Sequence, residues 1–257
     1  MLTPPEIARS LLAAGESKAR LPFGKMLLLA ILAGAYIALA GVGATAAAVT
    51  VESGSLAKLL SACVFPAGLS MVILAGSELF TGNCLMVMAL LERRITPVQL
   101  LRNWLTVYLG NAVGGAAVAA LAVYSHTASL FGDGLARSMV SIAESKAALG
   151  AGDAFLRGVL CNFLVCLAVW MAAASKRAEG KVIALFFPIL LFVLCGYEHC
   201  IANLYYLPAG AFAAAEYGME TTLTLAGCLE NLAAVTLGNL VGGAALGVGY
   251  RFAYLKE

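Results

Sequence analysis

Residues 74–83 read LAGSELFTGN, and residues 194–203 read LCGYEHCIAN. Both carry G-x-E-x-x-x-x-N, as Gly76, Glu78 and Asn83 in the first and Gly196, Glu198 and Asn203 in the second. Each follows a Phe-Pro pair, Phe65-Pro66 and Phe187-Pro188. A second pair of stretches recurs in the same order, NWLTVYLGNAVGGAA from Asn103 and NLAAVTLGNLVGGAA from Asn231. These match at Asn103, Gly110, Asn111, Gly114 and Gly115 against Asn231, Gly238, Asn239, Gly242 and Gly243. The offset is 120 residues between Glu78 and Glu198 and 128 between Asn103 and Asn231, so the chain is an internal repeat of two halves.

The repeat sits in an apolar chain. Of 257 residues, 62% are hydrophobic and 12% charged, where a soluble domain carries about a quarter charged residues. This composition defines an integral membrane protein. Uncharged stretches lie between Lys25 and Glu52, Lys58 and Glu92, Arg102 and Asp133, Arg157 and Lys176, Lys181 and Glu216, and Glu230 and Arg251. Each holds the roughly 17 to 25 residues needed to cross a bilayer, the fourth only just. Six transmembrane helices are expected, three in each half. Because three is odd, the halves insert in opposite directions, which places a transport site at the repeat interface near the midplane.

Spans two and five are longer than a plain crossing, with 33 residues between Lys58 and Glu92 and 34 between Lys181 and Glu216. Breaks are expected at Pro66 and the Thr81-Gly82-Asn83 cluster in one, and near Gly196 and Pro208 in the other. Backbone groups freed inside a bilayer persist only where protein or a water-filled cavity satisfies them, so the breaks at Glu78 to Asn83 and Glu198 to Asn203 should face a permeation path. The GNxVGGAA stretches of spans three and six present small residues for close helix packing, which assigns Asn111 and Asn239 to bonds between helices.

Residues 1–25 carry charges and prolines without an apolar core, which is not the pattern of a cleavable signal peptide. They read as a retained cytoplasmic segment in which Glu6 to Ala19 form either an interfacial amphipathic helix or a loose tail. Residues 26–251 form the six-span body and 252–257 a cytoplasmic tail. With both termini inside, inner segments hold 12 of the 16 Lys and Arg residues and outer segments hold Lys58, Arg137, Lys146 and Arg157. That asymmetry places both termini in the cytoplasm.

Several classes of function are disfavoured. A net charge of +2 is too small for a nucleic-acid partner. The seven cysteines lie in apolar stretches with no C-x-x-C pair, so they read as packing thiols rather than metal ligands or disulfides. The two histidines are His126, in a polar loop, and His199, which leaves no bis-histidine haem inside the bundle and no cofactor motif. The paired N-P-A breaks of a water pore are replaced by FTGN and HCIAN.

The pattern is that of a transporter, not an enzyme. A bare anion in a narrow apolar passage suffers a large desolvation penalty, which is met by supplying donors or by removing the charge. His199 serves either remedy, donating a hydrogen bond or passing a proton. Thr81 supplies a hydroxyl and Asn203 an amide. Glu78 and Glu198 would repel an anion, and their equivalence in the repeat suggests a structural task, accepting hydrogen bonds from freed backbone amides. His199 has Leu79 opposite it and breaks the symmetry.

The stretches FPAGLSMVILAGSELFTGN, ESKAAL, GVLCNFLVCLAVWMA, GYEHCIANLYYLPAG and VTLGNLVGG together resemble the formate/nitrite transporter family of formate, nitrite and hydrosulfide channels. The resemblance implies an aquaporin-like protomer in a homopentamer, in the plasma membrane of a prokaryote, each protomer with its own pore. It implies formate as the first substrate, nitrite or hydrosulfide as alternatives, and obligatory symport with protons as a second mechanism. It puts His199 and Thr81 at the pore centre, Leu79 and Phe80 in the break loop, and apolar constrictions at Phe65, Leu69, Val165 and Phe192. It also matches Lys146 to a loop lysine at the pore entrance and Asn162 to an asparagine of the fourth span. Glu78 stands where many formate channels have Asp, and Tyr197 where Phe is common.

Overall fold

The computed structural model describes residues 1–255. The last two residues of the expected tail, including Lys256, lie outside the described residues. All regular structure among those described is helical. In chain order the helices are α1 (Pro4–Ala19), α2 (Phe23–Ala48), α3 (Gly54–Val64), α4 (Pro66–Ala75), α5 (Phe80–Asn83), α6 (Val87–Leu91), α7 (Pro97–Tyr124), α8 (Gly134–Ala147), α9 (Ala151–Ala173), α10 (Ala178–Leu194), α11 (Cys200–Glu216) and α12 (Leu225–Tyr254).

Five of these are long and apolar enough to cross a membrane: α2, α3 and α4 taken together, α7, α9 and α12. The expected span between Lys181 and Glu216 is divided between α10 and α11, of 17 residues each, with Cys195–His199 between them. That division is why it does not register as one long helix. The chain thus contains several apolar helices of bilayer-crossing length, and it is a multi-pass membrane protein.

The wider interruptions fall at glycines, at Gly196 as expected and at Gly76. Gly76 (φ 81°) ends α4 and Gly196 (φ 69°) follows α10, both in the left-handed region that favours glycine. At Pro66 the chain passes from α3 to α4 through Phe65, which has helical backbone angles, and Pro208 lies inside α11. A proline removes one backbone donor, which a helix tolerates as a kink. The cluster Thr81-Gly82-Asn83 is itself helical, in α5, and the gap lies just before it.

Helix starts follow local chemistry. Thr96 and Gln99 bond each other's backbone N–H groups ahead of Pro97 at the start of α7. Glu6 accepts from both the backbone N–H (2.7 Å) and the hydroxyl (2.8 Å) of Thr3 at the start of α1. These bonds hold the Glu6 carboxyl below its ordinary pKa. Rather than lying free, α1 packs Ile7 and Ala8 with Met88 and Trp170.

The glycines of the two GNxVGGAA stretches set the helix spacing. A Cβ at Gly114 would collide with the carbonyl of Ile31 in α2, and one at Gly242 with the carbonyl of Val159 in α9. Backbone therefore meets backbone in the α2–α7 and α9–α12 pairs, as small-residue packing allows. These two pairs flank the interruptions and fix where their side chains stand.

Candidate functional site

Each interruption is held by the same set of bonds. In the first half the N–H of Glu78 donates to Leu29 O (3.2 Å) and the N–H of Phe80 to Asn111 Oδ1 (3.0 Å). Asn111 Nδ2 donates to the carbonyls of Ala30 (2.7 Å) and Glu78 (2.9 Å). In the second half Glu198 N–H donates to Arg157 O (3.4 Å) and Cys200 N–H to Asn239 Oδ1 (2.9 Å). Asn239 Nδ2 donates to the carbonyls of Gly158 (2.8 Å) and Glu198 (2.9 Å). The two asparagines bridge helices, and they also take the freed peptide groups that were expected to fall to the glutamates.

The glutamates are instead ion-paired. Lys18, at the end of α1, donates to Glu78 Oε1 (2.8 Å) and to Asn83 Oδ1 (2.9 Å). Lys146, at the end of α8, donates to both oxygens of Glu198 at 2.9 Å. Asn83 Nδ2 reaches Glu78 Oε2 (2.7 Å) and Asn103 Oδ1 (2.9 Å), and Asn203 Nδ2 reaches Glu198 Oε2 (2.7 Å) and Asn231 Oδ1 (2.8 Å). A buried carboxylate is tolerable only when paired and hydrogen-bonded in this way. Lys146 is therefore tied to the interruption between α10 and α11 while also lining the larger of the two cavities described below, and the amide nitrogen of Asn203 is spent on scaffold. Its oxygen, buried, has no hydrogen-bond partner among the described residues.

Sequence reasoning missed Lys18. The signal was present: Glu16-Ser17-Lys18-Ala19 recurs as Glu144-Ser145-Lys146-Ala147, again 128 residues on. Thus α1 and α8 are repeat mates, each delivering a lysine to one break.

His199 and Thr81 come together, as the resemblance implied. Both are buried, and His199 Nε2 lies 3.0 Å from Thr81 Oγ1. His199 also begins α11, where its Nδ1 accepts from the N–H of Ala202 at 3.1 Å. With Nδ1 used as an acceptor, the neutral ring carries its proton on Nε2 and donates it to Thr81. Asn162 Nδ2 and Cys166 Sγ each approach the Thr81 carbonyl at 3.3 Å, fixing the threonine's backbone. Asn162 also donates to Asn239 O (2.7 Å), which puts it behind the break.

Two cavities approach this pair and share no lining residue. One, of about 880 Å³, reaches Lys58, Phe65, Phe192 and His199; the other, of about 690 Å³, reaches Leu69, Gly76, Leu79 and Lys181. Along α3 and α4 the lining passes from the first cavity at Phe65 to the second at Leu69, and along α10 from the second at Lys181 to the first at Phe192. The cavities therefore lie at opposite ends of these helices. Where these helices pass toward the smaller cavity, the larger one is lined by the Phe65 and Phe192 rings, edge to face at 5.7 Å, with Phe192 stacked on His199 at 5.8 Å.

Phe80 and Val165 line neither cavity. The Phe80 ring packs edge-on against Tyr108 (5.1 Å) and Trp104 (6.4 Å), and Val165 is buried in the same core.

Two lysine-bearing cavities at opposite ends of the same apolar helices, with a buried histidine–threonine contact beside them, suit a membrane transport protein for something small and charged. The sequence model of the formate/nitrite transporter family matches residues 5–253. The chain belongs to that family. A probable formate transporter of Methanothermobacter thermautotrophicus is 38% identical over 99% of this chain and 98% of its own. The formate channel FocA of Haemophilus influenzae is 39% identical over 86% of this chain and 84% of its own. Among solved structures, an FNT family ion channel superposes with a TM-score of 0.86 at 32% identity, covering 96% of this chain and 98% of that one. A pentameric formate channel with formate bound superposes with a TM-score of 0.80 at 32% identity, covering 91% and 98%.

Proposed function

We propose that this protein is a formate channel in which the anion passes from one cavity to the other through the slit of Phe65, Phe192, Leu69 and Leu79, meeting His199 and Thr81 on the way. The observation that carries this reading is the buried contact between the His199 and Thr81 side chains, one from each half, near two cavities that bear lysines. An entering carboxylate replaces Thr81 as acceptor of the Nε2–H, and the freed Thr81 hydroxyl becomes a second donor. Both donors are held in place before the anion arrives, so little reorganisation is needed. The Ala202 cap on Nδ1 favours hydrogen-bond donation over proton donation, because an imidazolium would carry a proton on Nδ1 and lose that bond.

The same reading takes the halves as inverted repeats with six crossings, spans two and five being interrupted in an aquaporin-like arrangement. Tyr108 and Thr236, which occupy equivalent places in the two halves, bond each other at 3.1 Å, as residues beside a twofold pseudo-axis do. The lysine and arginine asymmetry supports cytoplasmic termini. The pentameric relative supports a homopentamer with one pathway per protomer.

Proteoliposomes test the proposal. Formate should enter faster than acetate, and His199→Ala and Thr81→Ala should each slow it. Equal rates for nitrite or hydrosulfide would reassign the substrate within the family. Formate uptake that requires one co-transported proton per anion would favour symport.

A further inference from the structure

The two cavities differ in charge. The larger one has Lys58, Arg137, Lys146 and Arg157 in its lining against Glu198 alone, four cations to one carboxylate, a formal +3 in about 880 Å³. The smaller has Lys18, Lys176 and Lys181 against Glu78, three to one, a formal +2 in about 690 Å³. In the larger cavity Lys146 is committed to both oxygens of Glu198 and Arg137 donates to Gly132 O at 2.6 Å. Lys58 and Arg157 have no ion-pair or hydrogen-bond partner for their side chains among the described residues. Lys58, Arg157, Lys146 and Glu198 all line this one cavity. The α8 serines Ser138, Ser141 and Ser145 line the same wall with hydroxyls.

We propose that this mouth is a binding site for a short dicarboxylate, held by Lys58 and Arg157, and that its occupant blocks the pathway. A monovalent anion leaves the surplus cations uncompensated, whereas a dianion neutralises both. Two separate carboxylates suit two separate cations, and the Arg157 guanidinium matches a carboxylate bidentately. The dianion stops there. The desolvation cost of an ion grows with the square of its charge, so the slit at Phe65 and Phe192 that a monovalent anion negotiates rejects it. The block rests on the proposed function; the site itself does not.

Binding is therefore read without transport, by titration calorimetry of the intact protein in lipid nanodiscs at fixed ionic strength. Malonate should bind at least about tenfold tighter than acetate, and the double variant K58Q/R157Q should lose about that factor, as expected for two lost ion pairs in a partly screened site. K58R/R157K should retain binding, and K176Q/K181Q, in the other cavity, should leave it unchanged. Malonate binding no tighter than acetate, or equally weakened by K176Q/K181Q, would overturn the site. Hydrogen phosphate binding as tightly as malonate would overturn the assignment to a dicarboxylate. Formate flux in the same preparation separates the two readings: malonate binding without formate flux strikes the proposed function, and formate flux without malonate binding strikes only this site.

Discussion

The two interruptions share a frame and differ at its centre. Leu79 and His199 occupy the same place, each preceding a helix with near-identical backbone angles, φ −111° and ψ 123° against φ −113° and ψ 112°. Around them Lys18, Glu78, Asn83, Asn103 and Asn111 repeat as Lys146, Glu198, Asn203, Asn231 and Asn239, with matching bonds except that Lys18 divides its donors between Glu78 and Asn83 while Lys146 gives both to Glu198. Within the break, Leu79 and Thr81 in one half correspond to His199 and Ile201 in the other. What the halves share holds the backbone open; what they do not share meets between them. A histidine from one half and a threonine from the other make a single contact that neither half could make with its own copy.

The shared frame should fail first and most severely. Replacing Lys146 by Met leaves Glu198 buried without its cation, a loss of about 3 to 5 kcal/mol, to be read in the thermal unfolding of the purified protein. Lys18→Met should cost less, because the Lys18 side chain is 29% exposed against 15% for Lys146. Equal losses would show that the helices α1 and α8 are not distinguished by burial.

Next comes the asparagine pair. Asn239→Ala strips the Cys200 N–H and the Gly158 and Glu198 carbonyls of their partner, and about 1 to 3 kcal/mol should follow per buried group left unpaired. Asn111→Ala should behave alike if the frame is truly shared.

Gly242→Ala should cost about 1 to 3 kcal/mol through the forced separation of α12 from α9. The matching Gly114→Ala should do the same to α2 and α7, with anion flux falling alongside stability.

The smallest effect concerns Glu144, the α8 counterpart of Glu16. It accepts from the Thr222 N–H (2.7 Å) and the Thr221 hydroxyl (2.9 Å), which hold its carboxyl below the ordinary pKa. A depressed pKa stabilises the attached loop above the usual carboxylate range, and that hold is lost as pH falls through the lowered value. Amide exchange at Thr222 should accelerate in acid, and Glu144→Gln should remove the acid dependence.

Much of this architecture was readable in the residues because the repeat is written in motifs with few alternatives. G-x-E-x-x-x-x-N and GNxVGGAA fixed two halves, two breaks and two tight helix pairs. The bonding of the glutamates was not readable. Pairing of Glu78 with Lys18 depends on α1 folding back across 60 residues, and a four-residue match, Glu16 to Ala19 against Glu144 to Ala147, is too short to stand out unaided. The expected break near Gly196 is present and one helix gives way to the next at Pro66, whereas Pro208 lies inside α11 and costs it one donor; Gly76 and Gly196 adopt a conformation that helix cannot continue through.

The asymmetric contact is tested most directly by formate flux through proteoliposomes carrying the wild type, His199→Ala and the fourfold exchange L79H/T81I/H199L/I201T. If the donor pair between the halves carries selectivity, His199→Ala loses about ten- to a hundredfold in formate flux, the worth of one hydrogen bond to a charged group, and the exchange recovers part of that loss. Formate flux with unchanged rate, selectivity and pH dependence in His199→Ala would contradict the account.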